Sequence, residues 1–463
     1  MKKNILYLIL ILAFSSCKKQ NEWLDVKSNK ADIVPATLQD YQAVLDNTDV
    51  MNTNYSSLGI VGSDNMYVND ILATTGGGVA ERNAYKWASD IFENATVASE
   101  WTFVYKVVEY SNIVLDGISK IAVNDQNRTD YNNIKGSALF YRAIAFYHIA
   151  QIFSKPYNKT TATTDLGILL RLTSDVNVVI NRSTVQQTYD QILSDLIEAE
   201  SLLPATSIYK TRPSVVAVQM MLAKVYLNIG DYNKAKYYSA LVINLKKTLI
   251  DFNTLNVAQT YPFPNYQADN REVVFFNRSV GYTFTGVSEM LVSKELYNLY
   301  SENDLRKVIF FRNNTDGTLG FRGRYTGNLS IFCGLGLNET YLILAESAVR
   351  TDEVSLGMNY LNELLKTRWK RDILGNNTYV NQTANNEEEA LTFVLNERRK
   401  ELPFTGNCRW EDLRRLNQDP RFAKTLFRTI AGQTYSLLPN DKKYVLPIPP
   451  IELIQNSVPQ NPR

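Results

Sequence analysis

Between Pro213 and Ile243 the chain carries Leu222, Ala223 and Tyr226, then Gly230, then Tyr232, Ala235 and Val242. Apolar residues three and four apart on both sides of a glycine describe two helices that turn back on each other. The small residues Ala223 and Ala235 stand twelve positions apart, which suits a close antiparallel crossing. The arrangement returns at Leu344, Ala345, Gly357, Leu361 and Leu364, with the same twelve positions between small residues. This narrows the possible folds sharply. A single helical pair cannot bury its apolar face alone, and stacking further pairs completes the core.

These pairs resemble tetratricopeptide (TPR) repeats, and their separation makes the array interrupted rather than contiguous. Other helices flank them. Leu38, Tyr41, Val44 and Leu45 follow one helical stripe, and Trp101, Tyr105, Val108, Asn112 and Leu115 another. A third begins at Ile134 and contains His148, which reads as a packed or surface histidine rather than a ligand. The stretch from about Ser56 to Lys86 is polar and loop-like. Its Gly76, Gly77 and Gly78 lack the lysine and hydroxyl residue of a phosphate-binding loop, so they read as a flexible turn. From Pro262 to Asn328 the runs "REVVFFNRS", "GYTFTGV" and "FRGRYTGNLS" read as short strands with long connections. The predicted architecture is mostly α: a TPR-like helical superhelix with irregular loop and short β-hairpin insertions. Insertions on a rigid scaffold commonly carry binding function. Length alone suggests about two or three domains.

The start of the chain has its own logic. Lys2 and Lys3 precede an apolar run, Asn4 to Phe14, that is short for a membrane span. Ser15 and Ser16 then lead to Cys17. The order resembles a bacterial lipoprotein signal, with "FSSC" at the cleavage point. Cleavage would leave Cys17 first, ready to carry several acyl chains, palmitate among them, and so anchor stably. Removing residues 1–16 takes away two lysines and leaves 47 basic against 47 acidic residues. That balance argues against a nucleic-acid partner. With 28 tyrosines against one histidine, the composition leans toward binding by aromatic surfaces. No metal or cofactor is expected. Cys333 and Cys408 make no disulfide framework, and whether they pair stays open.

Near the C-terminus "LNERRKELPFTGNCRWEDLRRL" concentrates arginines, carboxylates and Trp410. Glu397 and Glu401 lie on one helical face with Arg398 and Arg399 beside them, which suits a structural ion-pair cluster better than an acid–base pair across a cleft. The segment resembles the C-terminal signature of the SusD/RagB family of outer-membrane nutrient-binding lipoproteins, on Glu397, Arg398, Arg399, Glu401, Leu402, Phe404, Gly406, Arg409, Trp410, Asp412, Leu413 and Arg415. Thr405 and Cys408 depart from its usual pattern. "EWLDVKSNKADIVPATLQDYQAVLDN", "SALFYRAIAFYHIAQIF" and "YVLPIPPIELIQNSVPQNP" resemble further family segments. The resemblance implies a signal peptide over residues 1–16, an N-terminal helical region with TPR-like repeats over 17–260, and a C-terminal region with the ligand-loop insertion and closing helices over 261–463. It implies a lipid-anchored, surface-exposed outer-membrane protein, not an enzyme. Such a protein captures oligosaccharides or peptides and acts as a lid on a SusC-type TonB-dependent barrel for nutrient import. A TPR lipoprotein scaffold for envelope protein assembly is the alternative, and the long aromatic-rich interruptions weigh against it. A secreted glycosidase has no recognisable catalytic constellation here.

Sugar recognition needs flat aromatic faces with amides, carboxylates or guanidinium groups nearby. Two stretches offer both: Asp64, Asn65 and Tyr67 in "DNMYVN", and Tyr282, Phe284, Arg322 and Tyr325 in the middle insertion. Family members place ligand contacts in comparable loops, so these seven residues are the candidate ligand contacts. The anchor gives the first prediction. Cys17→Ala leaves the protein unanchored or unprocessed, and intact-mass analysis of the membrane fraction checks it; an unmodified Cys17 there contradicts the reading.

Overall fold

The computed structural model describes residues 34–463 other than 94 and 96; Cys17 and its signal lie outside the described residues. Helix α1 (Leu38–Leu45) opens on a capping box, in which Thr37 Oγ1 accepts from the Asp40 N–H and Asp40 Oδ2 accepts from the Thr37 N–H. A row of helices then stacks in chain order. α2 (Ser99–Ile118) lies on α3 (Arg128–Phe153), α3 on α4 (Val185–Leu202), and α4 on α5 (Val215–Ile229). α5 packs on α6 (Tyr232–Leu245), α6 on α7 (Leu337–Val349), and α7 on α8 (Val354–Lys366). Residues 246–336 separate α6 from α7 in sequence, yet the two helices are direct neighbours. The superhelix is therefore interrupted in the chain and continuous in space. α9 (Glu387–Glu401) closes against α7 and α8, and α10 (Cys408–Leu416) against the short helix Leu58–Gly62. No helix among the described residues is long and apolar enough to cross a membrane.

The crossings are close for the reason the spacing suggests. Gly230 ends α5 with φ 78°, a left-handed conformation that costs glycine no side-chain clash, and Asp231 then caps α6 by accepting from the Lys234 N–H. A Cβ added at Gly357 would lie 2.6 Å from the Ala345 carbonyl oxygen, so only glycine allows α7 and α8 this approach. Helix α3 is the axis of the body: every residue from Gly136 to Phe153 is buried, as a helix covered on all sides requires.

The insertion differs from expectation in part. β1 (Met66–Tyr67) pairs antiparallel with β2 (Leu291–Val292), and β3 (Phe311–Asn313) and β4 (Leu319–Phe321) complete a four-stranded sheet in the order β1-β2-β4-β3. The stretch around Tyr282 is not a strand. Thr283–Thr285 is a 3-10 turn, held by the Tyr282 N–H donating to Thr285 Oγ1 and the Phe284 N–H donating to Glu81 Oε2 at 2.7 Å. Residues 56–86 are likewise not one loop. They contain the short helices Leu58–Gly62, Asp70–Thr74 and Val79–Tyr85, too brief to show a period in sequence. A last hairpin joins β5 (Leu426–Ile430) to β6 (Gln433–Leu437).

Trp410 is 2% exposed and fills the gap between α10 and the helix Leu58–Gly62. A Cβ added at Gly59 or Gly62 would come within 2.9 or 3.0 Å of its side chain, and its ring centroid lies 4.8 Å from that of Tyr444. Trp410→Ala is expected to destabilise the protein by about 3–5 kcal/mol with no selective loss of ligand affinity. Denaturant titration beside a binding titration checks this; normal stability with abolished binding would reverse the assignment.

Candidate functional site

The segment from Glu397 to Leu416 is turned inward. Arg398 reaches Asp412 and Glu339, each at 2.9 Å. Glu401 accepts from Arg368 at 2.8 Å and Arg306 at 3.1 Å, while Arg306 also holds Asp304 at 2.7 Å. Arg415 meets Glu346 at 2.6 Å, and Lys224 enters from α5 between Glu339 and Glu411 at 3.3 and 3.4 Å. Burial opposes ionisation of Glu339, but Lys224 and Arg398 outweigh it and hold the carboxyl at about 2. Burial is likewise overcome at Glu346 by Arg415 and Arg350, and at Asp304 by Arg306 and Lys400, both again about 2. Carboxylates this acidic are poor proton donors at neutral pH. The cluster is a fastening between helices and insertion.

The cleft lies beside this cluster. A cavity of about 580 Å³ opens between Asp64–Asp70, Ser293–Glu295 at the start of the short helix Lys294–Tyr297, and Lys424–Thr429, which runs into β5. Its size suits a ligand of a few sugar units or less. Along β5 exposure alternates: Leu426, Arg428 and Ile430 face the core, and Phe427 and Thr429 face out. Phe427 is 72% exposed, a large apolar face left in solvent, and Tyr67 lines the same cleft half-buried. The floor is ionic. Arg409 binds Asp64 through two bonds of 2.7 and 2.8 Å, and Lys424 reaches Asp64 at 2.9 Å and also Glu295. Burial works against the Asp64 charge, but Arg409, Arg399 and Lys424 hold its carboxyl well below the usual range. Arg428 stays behind the wall, its guanidinium 3.7 Å from the Tyr85 ring centroid, where it braces the strand that presents Phe427.

The seven residues singled out in sequence fall into different places. Tyr67 lines the cleft, and Asp64 forms its floor. Asn65 is buried, accepting from Arg399 Nε and donating to the Pro403 carbonyl, so it holds the floor without facing the cavity. Phe284 is buried against Tyr85, ring centroids 5.5 Å apart, and Tyr282 bonds the buried Glu100. Arg322 spends its guanidinium on the carbonyls of Val257, Gln259 and Val308. Tyr325 is buried because Glu272 and Glu401 need its hydroxyl, which lies 3.0 and 3.3 Å from them. The structure does join the two stretches, but through the β1–β2 pairing rather than through these aromatic side chains. Phe427 lines the cleft but was not among the seven. The signal was present: in "LFRTI" the aromatic stands on the polar side of an alternating strand.

Known proteins place this geometry. Residues 22–227 match the SusD-like family model described as starch-binding associating with outer membrane. The chain is 23% identical to SusD-like protein P2 of Formosa agariphila, over all of this chain and 99% of that protein. Its fold is similar to the crystal structure of a SusD superfamily protein from Bacteroides thetaiotaomicron, with TM-score 0.73 and 23% identity over 92% of this chain and all of the other. A SusD-like carbohydrate binding protein from Bacteroides vulgatus gives TM-score 0.70 and 20% identity over 91% of this chain and 97% of the other. The chain thus resembles the SusD-like family over residues 22–227 and shares the fold of these solved structures.

The buried charges make stability pH-dependent. Asp304, Glu339 and Glu346 have lowered carboxyl pKa values, so the stability they contribute is present above the ordinary carboxylate range and is lost as pH falls toward about 2. Burial pushes the His148 imidazole down to about 3, so its neutral fold loses stability as pH falls below about 6.5. Glu100 acts oppositely: burial raises it to about 7, so its contribution falls as pH rises from 4.5 through 7. The parent is therefore expected to hold a nearly constant melting temperature from pH 5 to 7 and to lose it steeply below pH 4.5. Glu100→Gln should unmask a rise with pH across that upper range. Thermal melts in matched buffers check both, and a parent curve flat down to pH 3 contradicts them.

Proposed function

We propose that the protein captures oligosaccharides in the cleft between Tyr67 and Phe427 and delivers them, as a lipid-anchored lid, to a SusC-type TonB-dependent barrel. The observation that carries the binding reading is the exposed Phe427 face in the same cleft as Tyr67, over an ionic floor. Aromatic faces cover the apolar side of a sugar ring, while Thr429, Asn69 and the Asp64–Lys424 pair stand within the same cleft for its hydroxyls. Both floor carboxylates favour ionisation through their arginine and lysine partners, so the cleft suits holding a ligand better than donating a proton to it. Of the seven sequence candidates, Tyr67 is the direct contact in this reading, Asp64 the floor, and Asn65, Tyr282, Phe284, Arg322 and Tyr325 supports. Cys17 would tether the body at its N-terminal end, leaving the folded part free to dock on the barrel at the cell surface.

Calorimetric titration with maltoheptaose and a panel of other oligosaccharides and peptides tests the capture role. Tyr67→Ala and Phe427→Ala are each expected to weaken binding by about threefold to tenfold, the scale of one aromatic contact, with melting temperature nearly unchanged for Phe427→Ala. Full affinity in both variants, for a ligand the parent binds, would remove the cleft from the account. Affinity capture from solubilised outer membranes tests the lid role, and recovery of no TonB-dependent barrel would contradict it.

A further inference from the structure

The turn after α8 holds two aliphatic side chains in water. Ile373 and Leu374 stand at its tip, 101% and 83% exposed. The turn itself is firmly built. Asp372 Oδ1 accepts from the Leu374 N–H at 2.9 Å and the Asn376 N–H at 2.8 Å. Gly375 takes φ 85°, a left-handed conformation open to glycine. Below the tip, Asn377 Nδ2 donates to the Lys366 carbonyl at 2.9 Å and Thr378 Oγ1 to the Lys370 carbonyl at 2.7 Å. Arg371 is fixed to Asp251 at 2.7 Å. These bonds hold the apolar tip away from the body.

The segment that receives Arg371 runs on from α6. The Phe252 N–H donates to the Thr367 carbonyl at 2.9 Å, and the Tyr341 hydroxyl to the Lys247 carbonyl at 3.2 Å, so the segment lies against the end of α8. It begins with Leu245, 70% exposed, followed by Lys246 and Lys247. Lys246, Lys247, Lys366 and Lys370 are all exposed, and none has an ion-pair partner among the described residues. Asp251 is spent on Arg371 and Asp372 on its own turn, which leaves Glu363 open against four lysines. Single exposed aliphatics are ordinary. Two on one rigid tip, set among free ammonium groups, suit a surface where apolar insertion and attraction to anionic headgroups add. The tip is far smaller than the roughly 1,000 Å² that a specific protein interface buries. A headgroup layer needs no such matching area, and lysine stems reach along it with their charges outermost.

We infer that the Ile373–Leu374 tip, with Lys246, Lys247, Lys366 and Lys370 around it, is a docking surface for an anionic phospholipid bilayer. The two aliphatic side chains enter the headgroup layer, and the ammonium groups stay at its phosphates. The contact is made by the folded body and needs no acyl chain on Cys17.

Vesicle sedimentation of the mature chain from Lys18 onward, which carries no acyl chain, tests it. Vesicles of mixed phosphatidylglycerol and phosphatidylcholine are expected to bind about tenfold more protein than phosphatidylcholine alone, and less as salt is raised. Joint replacement Ile373→Ser and Leu374→Ser is expected to weaken that binding about tenfold. The melting temperature should not move, because neither side chain is buried on the body. Joint replacement Lys246→Gln and Lys247→Gln is expected to weaken it about fivefold and to flatten its salt dependence. Phe427→Ala is expected to bind vesicles like the parent, which separates this face from the cleft. No binding to the anionic vesicles, equal binding to phosphatidylcholine, full binding in the serine variant, or loss in Phe427→Ala would each overturn the assignment. Full vesicle binding in the serine variant with loss of a captured membrane protein would make the tip a protein contact instead.

Discussion

Glu401 lies fully buried between Arg306 and Arg368, and the structure is organised around charges placed in this way. A charge removed from water must be matched closely, since deleting one partner of a buried pair costs about 3–5 kcal/mol. Here the partners come from distant parts of the chain: Glu272 and Arg306 from the insertion, Lys224 from α5, Glu339 and Glu346 from α7, Arg398 and Glu401 from α9, Arg415 from α10. An ion-pair lattice with many members has one arrangement that satisfies all of them, and apolar packing alone would tolerate several. Apolar contacts hold the helical hairpins together, while the charges set where the insertion and the last helices sit on them.

That division explains why the most chemically suggestive segment is mostly turned inward. Arg398, Glu401, Arg409 and Arg415 each pair with a charge from another part of the chain. The cleft is tied to this lattice through the Asp64–Arg409 pair, and β5 adds the exposed Phe427 to its wall. The floor is thus part of the scaffold, and the exposed faces above it are free to differ without disturbing the fold.

The helical array was legible because its signals are local. Ala223, Ala235, Ala345 and Gly357 stand at crossings, and Gly230 stands at a turn; each is a neighbour in sequence of what it acts upon. The C-terminal motif was legible by resemblance and by its helical charge spacing. Of the candidate ligand residues, only Asp64 and Tyr67 line the cleft. Tyr325 and Phe284 lie in turn-rich text that reads as surface, and what buries them is distant: Glu272 and Glu401 for one, Tyr85 for the other. Asp64 and Arg409 are 345 positions apart, and nothing in a single sequence says which of 47 acids meets which base. Phe427 required noticing one aromatic on the wrong side of a short alternation.

Hydrogen–deuterium exchange with and without a saturating oligosaccharide tests the central claim most directly, because it reads scaffold and cleft together. Slower exchange on binding is predicted in residues 64–70 and 424–430, with no change across 397–416. Protection concentrated in 397–416, with none in the two cleft segments, would make the charge cluster the ligand site and contradict the account.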